Sequence, residues 1–212
     1  MRELSEETYG IHEMFHSLKG EGLYTGVPMV FLRFSSCNRS CEFCDTPRPK
    51  EARLELTIKE ILHTLHTLSP TCKRVVITGG EPFHQSNLPP LLSALQRVDY
   101  TLHFESNGDL LPKKPYWDIG KSWVAISPKK WLVDLPPYVD EVKWLVGDGY
   151  EFWKMAIAHQ NEYPPNLLHI LQPVWEESPS VRYRNLATAI YVAKEHPLFR
   201  LGTQQHKQWG IR

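Results

Sequence analysis

Cys37-Asn-Arg-Ser-Cys41-Glu-Phe-Cys44 puts three thiols on eight consecutive residues in a C-x3-C-x2-C pattern. Soft thiolates suit iron–sulfur chemistry, and three on one short loop can hold three irons of a cubane cluster, leaving the fourth iron without a cysteine. The same residues also read as a structural zinc site, which takes four N or S ligands and would recruit Cys72 or a histidine such as His16. Cys72 precedes a different predicted strand and would enter at the end opposite the loop, so it reads as an uninvolved thiol. A second motif, Thr78-Gly79-Gly80-Glu81-Pro82, follows a β-branched run at residues 74–78. Two glycines let a backbone approach a ligand closely, and the carboxylate beside them can accept from an ammonium group. Alone, this segment is equally an ordinary strand-to-helix turn.

Composition narrows the setting. The 212 residues carry 24 basic and 24 acidic side chains, so the formal charge is zero and the broad electrostatic footprint of nucleic-acid or membrane-surface binding is missing. No apolar run approaches the roughly 20 residues that span a bilayer, and the acidic start (Glu3, Glu6, Glu7) is unlike a signal peptide. Four cysteines are too few for a disulfide scaffold. The expectation is a soluble, cytoplasmic chain folded as one domain over residues 1–212.

The elements that must position the two motifs follow from periodicity. Strand-sized runs stand at residues 29–34, 74–78, 102–105, 123–127, 141–146 and 168–171. Helical spacing appears at residues 58–68, with Thr57 and Glu60 as a capping box, and at residues 88–98, 151–159 and 181–194. Strands alternating with helices predict a mainly parallel sheet. The stretches after residues 105 and 127 carry prolines where crossover helices would run. A full eight-fold barrel takes about 250 residues. The predicted fold is therefore α/β, a truncated partial barrel of about six strands and about three crossover helices, with its site at the C-terminal strand ends.

The cysteine loop, with Phe43 before its third cysteine, followed one strand later by GGEP, resembles the radical S-adenosylmethionine (SAM) superfamily. That resemblance implies a 4Fe-4S cluster on Cys37, Cys41 and Cys44, an open iron chelated by SAM, and cleavage of SAM to a 5'-deoxyadenosyl radical. Further segments narrow it: Glu13-Met-Phe-His-Ser-Leu-Lys-Gly-Glu-Gly22, Gly26-Val-Pro28, Phe31-Leu-Arg33, Cys44-Asp45-Thr46, Glu105-Ser-Asn-Gly108, Ile126-Ser-Pro-Lys129, Glu141-Val-Lys-Trp144, Leu171-Gln-Pro-Val174 and Gln205-His-Lys207. Their order is similar to that in the 7-carboxy-7-deazaguanine synthase family, from about Gly10 to the C-terminus, and that family too has a truncated barrel.

The resemblance implies rearrangement of 6-carboxy-5,6,7,8-tetrahydropterin to 7-carboxy-7-deazaguanine with loss of ammonia, on the route to queuosine and related deazapurines, with magnesium required. It places Phe43, Cys44 and Asp45 along SAM, with Gly80, the Ser127-Pro128-Lys129 turn and Gln172. Thr46 would supply a hydroxyl to magnesium, a hard, oxygen-seeking ion. For substrate it implies the backbone of Leu18-Lys19-Gly20, Arg33 and Thr78, with the C-terminal carboxylate, here at Arg212, folded back toward the substrate; His206 and Glu105 are further candidates. A guanidinium at Arg33 can grip a carboxylate bidentately, its alternative being a salt bridge. Glu105 could accept from the pterin's N–H edge, its alternative being a capping or solvated carboxylate. A flavodoxin or ferredoxin would donate electrons, and a homodimer is expected.

Three residues depart from the family pattern: Lys19 stands in place of a glutamine, Ser36 of a glycine and Ser106 of a threonine. Lys19 is the one that could mark a different acidic substrate, which keeps open another small radical SAM enzyme. From a different class, a zinc-stabilised binding module remains the alternative.

Overall fold

Thr57 and Glu60 form the capping box that their spacing predicts. The Thr57 hydroxyl accepts from the Glu60 amide at 3.3 Å, and the Thr57 amide donates to Glu60 Oε2 at 2.8 Å. The helix they open spans Ile58–Leu68 and buries Ile58, Ile61 and Leu65, one apolar stripe at three- and four-residue spacing. The structure is a computed structural model and describes residues 7–41, 44, 53–132 and 134–212.

In chain order the elements are β1 (Thr8–Leu18), β2 (Pro28–Phe34), β3 (Leu54–Thr57), α1 (Ile58–Leu68), β4 (Arg74–Gly79), α2 (Leu88–Arg97), β5 (Thr101–Ser106), β6 (Ser122–Ile126), β7 (Glu141–Val146), α3 (Trp153–Ala158), β8 (Leu168–Pro173), α4 (Pro179–Glu195), β9 (Phe199–Leu201) and α5 (Gln205–Trp209). They fall into two compact units. None of the described helices is long and apolar enough to cross a membrane.

The first unit comprises the described parts of Met1–Ser17, Pro28–Ser106 and Leu110–Trp123. Its strands run in the order β3-β1-β2-β4-β5. β1 and β3 pair antiparallel, whereas β2, β4 and β5 are parallel. Val75, Val76 and Ile77 of β4 are fully buried, as a central parallel strand requires, and Leu91, Leu92 and Leu95 of α2 are sealed off with them. The second unit comprises Leu18–Val27, Asn107–Asp109 and Val124–Arg212. Here β6, β7, β8 and β9 lie side by side, all parallel. α3 packs on β7, and α4 packs on β7, β8 and β9.

All six expected strands are present, together with β1, β3 and β9. β1 escaped the pattern because TYGIHEMFHSL mixes buried and half-exposed positions without strict alternation. Among the described residues the two proline-bearing connections hold no crossover helix, as expected. Between β5 and β6 only a 3-10 turn at Ile119–Lys121 forms, and between β6 and β7 the described residues hold no helix.

Candidate active site

In the first unit the cysteine loop leaves the C-terminal end of β2 and is stitched to the glycine turn that ends β4. Gly80 N–H donates to the Phe34 carbonyl at 3.0 Å and Glu81 N–H to the Ser36 carbonyl at 2.9 Å, while Gln85 Nε2 reaches the same Ser36 carbonyl at 3.2 Å. A methyl group on Gly80 would collide with the Ser36 backbone and come within 2.8 Å of Cys37 Cβ. Gly79, at φ +128°, lies in the region open to glycine and sits against the Phe34 backbone. Both glycines are therefore fixed by close approach.

Cys37 and Cys44 are exposed, Cys41 is half-buried, and none is in a disulfide. The Cys44 amide closes a turn on the Cys41 carbonyl, and the Arg39 amide points at Cys37 Sγ at 3.4 Å. Burial pushes the Cys37 thiol up; the Arg39 amide opposes this, while Glu81, Cys41 and Cys44 add to it. Among the described residues, no group of three His, Cys, Asp or Glu side chains could hold one metal ion. A cubane asks for one thiolate at each of three iron corners, and these accessible soft donors fit that demand better than a closed zinc site. The proposed fourth zinc ligands stand elsewhere. The Cys72 thiol donates to the Pro28 carbonyl, at the start of β2, and His16 lines the same recess, one strand length away from the loop. Phe43, Asp45 and Thr46 lie outside the described residues.

Three sequence-predicted residues form a row. In the β2–β4 register Arg33 stands opposite Thr78, and the β4–β5 register, Val76 to His103 and Ile77 to Phe104, carries Thr78 alongside Glu105 at the next step. Partners in a parallel register share a face, so Arg33, Thr78 and Glu105 lie side by side on one face near the C-terminal strand ends. Arg33 Nε is 2.9 Å from Glu13 Oε1, so the ion-pair alternative for Arg33 is realised, and its guanidinium lies 5.9 Å from the Phe15 ring centroid. Glu13 and Phe15 thus hold the guanidinium from β1.

The carboxylate of GGEP is differently employed from the sequence expectation. Glu81 is fully buried, and its Oε1 accepts from the Phe83 amide at 3.1 Å and from Ser106 Oγ at 2.8 Å. It caps the 3-10 turn Pro82–His84.

In the second unit the Ser127-Pro128-Lys129 turn follows β6. Lys129 Nζ donates to Ser127 Oγ at 2.8 Å, and Lys130 pairs with Asp109 at 3.2 Å. Gln172, on β8, is 2% exposed and neither atom of its amide has a hydrogen-bond partner. A buried amide in that condition is costly unless a ligand completes it.

The 18–27 segment also belongs to this unit. Lys19 uses both backbone groups to close the loop, its amide donating to the Val27 carbonyl and its carbonyl accepting from Gly26. Its side chain is buried as well. Gly20 offers its carbonyl to the Gln205 amide at 2.9 Å and packs directly against the His206 side chain. His206 is thereby brought to the loop, while Leu18 and Arg212 are exposed. Sequence reasoning missed Glu21, which accepts from Lys143 Nζ at 2.6 Å and from Gln204 Nε2 at 2.7 Å. Burial alone would push the Glu21 carboxyl up, but the Lys143 and Lys19 charges and both hydrogen bonds outweigh it and hold it well below the usual carboxylate range. The signal was there: Glu141 and Lys143 alternate with Val142 and Trp144 in a strand-sized run.

Comparison with known proteins shows the family of the chain. The family model described as Radical SAM superfamily matches residues 32–157. The 7-carboxy-7-deazaguanine synthase of Neisseria meningitidis serogroup B is 40% identical over 212 aligned residues, covering 96% of this chain and 94% of that one. Its counterpart from Synechocystis sp. is 31% identical over 99% of this chain and 97% of its own length. The crystal structure of QueE from Escherichia coli superposes with a TM-score of 0.72 at 24% identity, covering 94% of this chain and 95% of that one, and so shares the fold.

Proposed function

Because the chain belongs to the radical SAM superfamily and, within it, to the 7-carboxy-7-deazaguanine synthase family, we propose that it rearranges 6-carboxy-5,6,7,8-tetrahydropterin to 7-carboxy-7-deazaguanine with loss of ammonia. It is a radical SAM enzyme that uses a 4Fe-4S cluster and SAM and acts on a small molecule with an external reductant. Product and ammonia together account for every atom of the substrate, so the reaction needs no net oxidant and SAM can be regenerated.

The row Arg33–Thr78–Glu105 carries the reading. It spans two strand spacings, roughly 10 Å, about the length of a carboxylated pterin. A guanidinium at one end suits the substrate carboxylate, and a carboxylate at the other suits the guanidine-like N–H edge, with a hydroxyl between them. Arg33 binds and orients, its direction set by Glu13 and Phe15. Leu18, Lys19, Gly20, His206 and Arg212 complete the proposed substrate contacts. Cys37, Cys41 and Cys44 hold the cluster, which with SAM supplies the hydrogen-abstracting radical when bound. Phe43, Cys44, Asp45, Gly80, Ser127, Pro128, Lys129 and Gln172 are assigned to SAM, a role that would satisfy the buried Gln172 amide. Thr46 is assigned to magnesium.

Residues 1–212 act as one radical SAM domain in the cytoplasm, where free thiols persist for cluster assembly. A flavodoxin or ferredoxin serves as donor. A homodimer is supported by Tyr183, Ile190 and Tyr191, which leave an exposed apolar stripe at helical spacing on α4. The test is anaerobic reconstitution with iron and sulfide, followed by reductant, SAM, magnesium and the carboxytetrahydropterin. Formation of the deazaguanine acid with ammonia is expected; SAM cleavage without that product would overturn the substrate assignment.

A further inference from the structure

β7 carries Glu141 and Lys143 two residues apart, so both point to the same face, and both are almost wholly buried. Buried charges cost more than apolar side chains of the same size unless each is paired and hydrogen-bonded, and a strand in this position would hold its sheet at least as well with valines. Their use lies in what they touch. Lys143 Nζ meets Glu21 Oε2 at 2.6 Å, and Glu141 Oε2 accepts the Leu23 amide at 2.9 Å while its carboxylate packs against Gly22. From the other side Gln204 donates to Glu21 Oε1 at 2.7 Å, and the Gln205 amide donates to the Gly20 carbonyl at 2.9 Å. The segment from Lys19 to Leu23 is therefore clasped between a charged strand and the residues that open α5. It makes few apolar contacts of its own that could fix it there, its residues being two glycines, a lysine, a glutamate and the exposed Leu23.

We propose that Lys143 is a positioning residue for substrate recognition: acting through Glu21, with Gln204 as second support, it sets the Lys19–Gly20 backbone in the place where substrate is bound. This rests on the reading that residues 18–20 bind the substrate. Lys143 contributes as the cation that keeps a half-buried Glu21 ionised and directed, and Glu21 in turn ties strand, loop and C-terminal arm together. Lys19 stands near enough for its charge to act on Glu21 as well, so the departure of Lys19 from the family glutamine is answered inside the loop. Both lysines thus act on the one carboxylate, Glu21.

The test uses the reconstituted holoenzyme with SAM and magnesium. Equilibrium binding of 6-carboxy-5,6,7,8-tetrahydropterin is measured by calorimetry with the cluster oxidised and no reductant, so that nothing turns over, and KM and kcat are measured separately. Lys143→Met is expected to weaken pterin binding roughly tenfold and raise its KM alike. SAM binding, cluster content and kcat at saturating pterin stay within about threefold. Lys143→Arg restores most of the affinity. Lys143→Met combined with Glu21→Gln restores part of it, because a neutral residue 21 no longer needs a cation. Pterin binding within twofold of wild type in Lys143→Met, or equal weakening of pterin and SAM, overturns the proposal. If Lys143→Met does not fold, Glu21→Gln and Lys143→Arg decide on the same pterin-to-SAM ratio. Wild-type enzyme that binds SAM but no pterin overturns the substrate reading itself, a result distinct from wild type and Lys143→Met binding pterin equally.

Discussion

Ser106 Oγ donates to Glu81 Oε1 at 2.8 Å in a site closed to solvent. The bond joins the end of β5 to the turn after β4 and makes the GGEP carboxylate a strut. Removing the hydroxyl leaves a buried carboxyl oxygen short of one donor. Ser106→Ala should therefore cost about 1–3 kcal/mol in urea unfolding of the apo chain under anaerobic conditions, while Ser106→Thr keeps the donor and most of the stability. A Ser106→Ala loss below about 0.5 kcal/mol would mean that Glu81 is held well enough by its other partners.

Gly80→Ala should cripple cluster assembly while leaving secondary structure intact. A methyl group there has to displace the Ser36 backbone and with it the start of the cysteine loop. Iron and sulfide per chain after reconstitution are the measurement, with circular dichroism as the control for folding. Four irons per chain in the variant would show that the loop yields without cost.

Arg33→Gln should raise the pterin KM by about 10- to 100-fold, the equivalent of about 1.5–3 kcal/mol for charged hydrogen bonds. KM for SAM stays unchanged. Arg33→Lys keeps the charge but loses the planar fork and should recover only part of the affinity. Equal losses for pterin and SAM would remove Arg33 from the substrate row.

His169 gives the chain a dependence on pH. Burial pushes its pKa down from 6.5 to about 4, and its Nδ1 accepts from Trp144 Nε1 at 3.1 Å, which requires a neutral ring. The unfolded chain binds the proton more readily. Stability from this group is complete above about pH 6.5, falls as pH is lowered from there towards 4, and amounts in full to on the order of 3 kcal/mol. Apo-chain denaturation midpoints at pH 7, 5.5 and 4.5 measure the slope, which should flatten in His169→Gln. An unchanged slope would assign the acid sensitivity to other groups.

Much of this was legible because it is local. Thr57 and Glu60 announce a helix start three residues apart, and residues 29–34 and 74–78 are apolar runs whose register then sets Arg33 beside Thr78. The cysteine spacing and the paired glycines carry their chemistry in adjacent letters. β1 was hidden because its burial alternates irregularly, and the role of Glu81 because a turn carboxylate looks the same whether it faces a ligand or Ser106. Glu21 with Lys143 was hidden for another reason. The partners are 122 positions apart, and only the oddity of charges within a buried strand hinted that each must find the other.

The bond between Glu21 and Gln204 joins residues 183 positions apart. On a ribosome adding about 5–20 residues per second, Glu21 is made roughly 10 to 40 s before its partner exists. The 18–27 loop therefore waits for 183 further residues with its carboxylate unanswered from that side. The support of Glu21 by Gln204 is thus completed well after the cysteine loop and its glycine turn, 43 positions apart from Cys37 to Gly80, are both in place.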